Sequence, residues 1–136
     1  MTMPRYLFVY GTLMRGMESS ELMDMAGARF AAPGYITGDL YDLGSYPAVV
    51  KSVGQNAVVV GEIYELRQVD AIDVLDQFES YRPRDETSLF IRETATARRM
   101  DTGKPVRVWT YFYNPRRSLR RAKRIESGDY RMAKAS

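Results

Sequence analysis

The pattern of apolar and polar positions changes period several times along the chain. Tyr6 to Tyr10 is an unbroken aromatic and β-branched run, which predicts a buried strand, and Gly11 ends it. Thr12 and Leu13 lead through Arg15-Gly16 towards a short helix over 18–26. Ser19 or Ser20 would cap that helix, and Leu22, Met23 and Met25 supply its apolar surface. Residues 34–43 alternate apolar with polar or small, as a strand with one wetter face does. Gly44-Ser45-Tyr46-Pro47 reads as a turn and Ala48 to Val50 as a short strand after it. Residues 57–66 form a long β-branched strand in which Gly61 suggests a bulge. A helix is predicted over 70–78 with Asp70 as N-cap, then two strands over 89–97 and 106–113 joined by the turn Asp101-Thr102-Gly103-Lys104. Strands dominate and helices are short. The predicted class is α+β: a mostly antiparallel sheet curled into a barrel-like core, with short helices outside. The domain spans 1–114, and 115–136 is a basic C-terminal tail packed on it or extending from it.

Composition narrows the chemistry. A chain of 136 residues is one domain with a core that needs no staples. It has no cysteine and no histidine. That excludes disulfides, thiol and Ser–His nucleophiles and the usual zinc and non-haem iron sites. Acid–base work near neutral pH then falls to a carboxylate, Lys or Tyr with a shifted pKa. The first residues lack a long apolar stretch, and no apolar run reaches membrane-spanning length. A cytoplasmic protein without a membrane partner is the expectation. From Pro115 onward there are eight basic and two acidic residues, a net +6 in a chain of net +3, so the body carries −3. The run from Arg116 to Arg124 suits a solvated tail, and also an RNA or acidic-partner contact. It has no interleaved aromatics, which disfavours nucleic acid.

Two stretches carry candidate chemistry. A strand that breaks at Gly11 and turns towards a helix leaves backbone N–H groups unpaired, a cradle for a carboxylate or oxyanion; it also suits an ordinary turn. Gly11 and Gly16 have Walker-loop spacing, but Met17-Glu18 stands where Lys and Ser or Thr are needed, so nucleotide binding is rejected there. The second stretch ends at Glu79. At about 100° per residue, Ile72 and Leu75 share its helix face, so the apolar stripe runs into a carboxylate. The negative end of the helix dipole adds about 0.3–1 kcal/mol against its charge. Both effects raise its pKa, as a general base requires. The same position suits a rim glutamate paired with Arg82 or Arg84. Asp73 points away from the stripe towards water. Asp76 lies nearer Glu79, as a second carboxylate or a surface acid.

Several pieces together resemble one family. They are Tyr10-Gly11-Thr12-Leu13; Gly38-Asp39-Leu40-Tyr41-Asp42-Leu43 with Tyr46-Pro47; Gly61-Glu62-Ile63-Tyr64-Glu65-Leu66; Leu75-Asp76-Gln77-Phe78-Glu79-Ser80-Tyr81; Trp109 to Tyr113; and Ser127-Gly128-Asp129-Tyr130. In this order they resemble the γ-glutamylcyclotransferase-like superfamily, in its AIG2-like, γ-glutamylamine cyclotransferase branch. The resemblance implies a small mixed β-barrel with flanking helices and a cavity. It implies that Tyr10, Gly11, Thr12 and Leu13 hold a small γ-glutamyl substrate and that Glu79 is the catalytic acid–base. The implied reaction yields 5-oxoproline and a free amine without metal or cofactor. Tyr41, Tyr46, Tyr111 and Tyr113 would either line the cavity or pack in the core. Two departures bear on substrate choice. Ser19 and Ser20 stand where many relatives have Asn, and Ser80 where many have Gly. Some members of the superfamily have no established activity, which leaves the alternative of a non-catalytic binding module of the same fold, using the cavity or the basic tail.

Overall fold

β1 (Tyr6–Val9) lies between two strands that reach it from later parts of the chain. It pairs antiparallel with β5 (Val58–Leu66), Phe8 opposite Ile63, and parallel with β7 (Pro105–Tyr113), Leu7 opposite Trp109. The computed structural model describes residues 4–51, 57–68, 70–79, 81–82 and 85–135. With β2 (Ala28–Thr37) and β6 (Phe90–Arg99), the strands close a mixed barrel in the order β1-β5-β2-β6-β7. The parallel β1–β7 pair closes it, leaving neither strand with an open edge. A second sheet, in the order β4-β3-β8, joins β4 (Pro47–Val50), β3 (Asp39–Asp42) and β8 (Lys123–Arg124). Among the described residues, three short helices flank the sheets: α1 (Glu21–Met25), α2 (Ala71–Phe78) and α3 (Tyr130–Lys134). The class is α+β, a small, mostly antiparallel mixed barrel with flanking helices.

Several local expectations change. The strand expected over 34–43 is two strands that part at Gly38. β2 begins six residues earlier than expected, at Ala28. Gly61 is not a bulge: it pairs in regular register with Gly34, and the register shifts instead between Phe30 and Ala32. Gly61 serves a close approach, because a Cβ there would run into the Val9 carbonyl oxygen. The C-terminal stretch packs into the fold. The Ile125 N–H donates to the Leu40 carbonyl at 2.8 Å, and Tyr130 is buried at the start of α3. Asp129 caps α3 by accepting the Arg131 N–H at 3.0 Å. Arg116, Arg124, Arg131 and Lys134 all form ion pairs with acids of the body. No helix among the described residues is long and apolar enough to cross a membrane.

Candidate active site

The loop that follows β1 uses the carbonyls of Gly11 and Thr12 but leaves its first three N–H groups free among the described residues. The Gly11 carbonyl accepts Met14 N–H at 3.1 Å and the Thr12 carbonyl accepts Ser19 N–H at 2.9 Å. Among the described residues, nothing accepts the N–H groups of Gly11, Thr12 or Leu13. Gly11, Thr12 and Leu13 all line a cavity, so these free donors are available to a ligand or to water there. Gly11 is required here for space, not for a positive φ. A Cβ would come within 2.6 Å of the Pro47 Cγ. In this loop the glycine with a positive φ is Gly16, at 80°.

An interior carboxylate fixes the other end of the loop. Glu62, fully buried on β5, accepts the Arg15 N–H at 2.9 Å and the Arg15 Nε at 3.1 Å. The Tyr64 hydroxyl (3.1 Å) and the Arg131 guanidinium (3.3 Å) complete the cluster. Four donors on one carboxylate satisfy a charge that would otherwise be expensive to bury. Sequence reasoning passed over Glu62 because it lies in a β-branched run whose polar positions look solvent-facing. The signal available was an acid flanked by Gly61 and Ile63 in a strand hydrophobic on both faces.

α2 delivers Glu79. Leu75 is fully buried on the helix, and the Glu79 N–H closes its last turn on the Leu75 carbonyl at 2.9 Å. One turn earlier, Asp76 is pinned to the barrel. It accepts both Arg92 Nε (2.9 Å) and a second Arg92 nitrogen (3.2 Å), and the Tyr111 hydroxyl at 2.5 Å. Arg92 in turn lies over the Trp109 ring at 4.3 Å. Asp76 is therefore neither a surface acid nor a second free carboxylate but the anchor of α2. Asp73 is exposed, as expected. The Glu79 carboxyl has no hydrogen-bond or ion-pair partner among the described residues. Arg82 does not pair with it, and Arg84 and Ser80 lie outside the described residues. Burial alone pushes its pKa up to about 7.

Loop and carboxylate meet in one cavity of about 290 Å³, lined by Tyr10 to Leu13, Glu79, Tyr46 and Tyr111 among others. That is near the small end of the roughly 300–1,000 Å³ usual for ligand sites. Tyr10 contributes ring and backbone, since its hydroxyl donates to the Tyr111 carbonyl at 2.5 Å. Burial, then the nearby Glu79 charge, raises the Tyr10 phenol; burial, then the bond to Asp76, raises that of Tyr111. Both stay neutral donors near neutral pH. Tyr41 and Tyr113 do not line the cavity. Tyr41 lies in β3 opposite Ala48 and Arg124. Tyr113 packs edge-on behind Phe90, ring centroids 6.0 Å apart, and donates to the Ser118 carbonyl at 3.1 Å. Tyr111 and Tyr113 share a strand face, but Phe90 takes the space between Tyr113 and the cavity.

A closed five-stranded mixed barrel with short flanking helices defines a cyclotransferase-like fold. The Gamma-glutamyl cyclotransferase, AIG2-like family matches residues 7–132, and the chain belongs to it. No curated protein matches the sequence. Among solved structures the chain is similar to YkqA from Bacillus subtilis, at 26% identity and TM-score 0.72, covering 98% of this chain and 44% of that one. It thus spans less than half of the Bacillus protein. It is also similar to a mouse AIG2-like protein, at 26% identity and TM-score 0.67, covering 84% and 82% of the two chains. A uropathogenic E. coli-specific protein, at 20% identity, TM-score 0.70 and 98% coverage of both, shares the fold.

Proposed function

We propose that the protein is a γ-glutamyl cyclotransferase, converting a γ-glutamyl-amine or γ-glutamyl-amino acid into 5-oxoproline and a free amine. The observation that carries this reading is Glu79. Among the described residues it is a carboxylate without a partner, its pKa raised to about 7, in the same cavity as three backbone N–H groups that no described residue accepts. The membership of the family supports it.

The chemistry asks little of the protein. The substrate's α-amine attacks its own γ-carbonyl carbon, so a C–N bond forms within the glutamyl group and the original amide C–N bond breaks. Holding the substrate folded in a small cavity makes attack a well-oriented intramolecular step. The N–H groups of Gly11 to Leu13 stabilise oxygen charge on the substrate, whether the developing oxyanion or its carboxylate. Glu79 takes one proton from the α-ammonium before attack and a second from the attacking nitrogen once the C–N bond forms, passing each in turn to the departing nitrogen; the lactam nitrogen keeps one hydrogen, the amine leaves as an ammonium, and Glu79 ends as the carboxylate it began as. A pKa near 7 suits a group that must both accept and donate. A panel of γ-glutamyl-amines and γ-glutamyl-amino acids, assayed for 5-oxoproline, tests the reading. Release from at least one member is expected. Failure with every member, at protein concentrations that saturate the assay, would overturn it.

A further inference from the structure

Resting on the cyclotransferase reading, the structure also carries information about the amine that leaves. The charged side chains lining the cavity are Glu18 and Glu79; among the described residues, no Lys or Arg lines it. The nearest candidates are drawn elsewhere. Arg15, on the same loop, is held by Glu62 and lies over the Phe30 ring at 3.6 Å. Lys134 feels the Glu18 charge, but its ammonium is bound by Asp42 at 2.9 Å and the Gly44 carbonyl at 3.4 Å. In a bound γ-glutamyl group, the ammonium is met by Glu79 and its oxygens by the loop N–H groups. Glu18, exposed at the cavity mouth, is then a carboxylate with no counterpart in that group.

We propose that Glu18 is a specificity residue, and that the preferred leaving amine carries a second ammonium group, as a diamine does. A carboxylate at the mouth attracts such a group and repels an anionic one. The groove past Tyr46 and Leu89 does not reverse this field. It holds Arg82 and Arg117, but Asp73 and Asp85 stand with them. Arg117 also donates to the Thr87 carbonyl at 3.0 Å.

The test compares γ-glutamyl-diaminopentane, γ-glutamyl-pentylamine and γ-glutamyl-aminohexanoate, which share a chain and differ in terminal charge. The kcat/KM for 5-oxoproline release is measured at low ionic strength in the parent and in Glu18→Gln. The expected order in the parent is cationic, neutral, anionic, with about two- to fivefold between the first two. In Glu18→Gln that ratio falls to near one, and salt shrinks it in the parent. Equal rates in the parent, a preference untouched by the substitution, or a lead for the anionic compound would overturn the proposal. A second arm is independent of turnover. Free diaminopentane and pentylamine are titrated against the amide NMR signals of the loop. The diamine is expected to bind more tightly in the parent only, and equal binding overturns the proposal. If no compound yields 5-oxoproline, the cyclotransferase reading falls, and the binding arm alone decides the role of Glu18.

Discussion

Glu62 accepts the backbone N–H of Arg15 at 2.9 Å from a position with no exposure to water. That bond ties the far end of the Gly11–Gly16 loop to the barrel wall. The Arg131 contact at 3.3 Å extends the tie to α3. Glu62→Gln leaves two guanidinium groups facing a neutral amide. Both arginines keep access to water, Arg15 much more than Arg131, so the cost should be about 2–3 kcal/mol, below the roughly 3–5 for breaking a fully buried pair. Denaturant titration would read it. If the loop supplies transition-state stabilisation, kcat should fall more than KM rises. An unchanged kcat in a destabilised protein would confine Glu62 to a structural role.

The pairing of Asp76 with Arg92 and Tyr111 makes a separable prediction. All three groups are largely buried, and Asp76→Asn would strand a guanidinium against the barrel. A loss of about 3–5 kcal/mol is expected from chemical denaturation. Glu79 lies one turn further along the same short helix, so the rate should drop as well, by about tenfold or more.

Gly11→Ala tests the close approach of the loop to β4. The new methyl would stand 2.6 Å and 2.9 Å from the Pro47 ring carbons. Pro47 is buried and its ring has little room to retreat. The expected result is a loss of about 1–3 kcal/mol with a displaced loop and lower activity. Gly16→Ala makes the control: it is strained by its φ of 80° yet meets nothing within 4 Å. It should cost about 1 kcal/mol and leave the cavity walls in place.

Much of this was legible in the sequence for physical reasons. The β1 run and the Gly11 break survive in the structure because apolar β-branched runs end where glycine permits close approach. Glu79 was legible because helix periodicity placed Ile72 and Leu75 on its face. Asp76 was not, since its partner Arg92 comes from a strand that sequence spacing cannot dock onto α2. The first half of β2 was hidden by Pro33 and Gly34, which break the strand signal although both pair with β5. Barrel closure through the parallel β1–β7 pair joins residues about a hundred positions apart, and no local pattern reports that. The cavity side of Tyr111 and the core side of Tyr113 differ only through Phe90, a packing detail beyond strand alternation.

The pH dependence follows from Glu79. As a base with a pKa of about 7, it should make kcat/KM rise tenfold per pH unit below about 7 and level off above. Stability should move the opposite way. Folding raises this pKa from 4.5 to about 7, so the native state holds the proton longer than the unfolded chain. The contribution of Glu79 is therefore fully present below about pH 4.5 and is lost as pH rises to about 7. The total loss is on the order of 3 kcal/mol, and it should vanish in Glu79→Gln. A variant whose stability still falls across that window by the parent's amount would contradict the assignment.

The most direct measurement is 5-oxoproline release by Glu79→Gln beside the parent, with the best substrate of the panel. The amide keeps the shape of the carboxylate but cannot exchange the proton, and removing a desolvated charge spares the fold. The account predicts a loss of at least about 10²-fold in kcat, with KM nearly unchanged and stability at neutral pH equal to the parent's or higher. Release at the parent rate would remove Glu79 from the mechanism. With it would go the reason for reading this cavity as a cyclotransferase site.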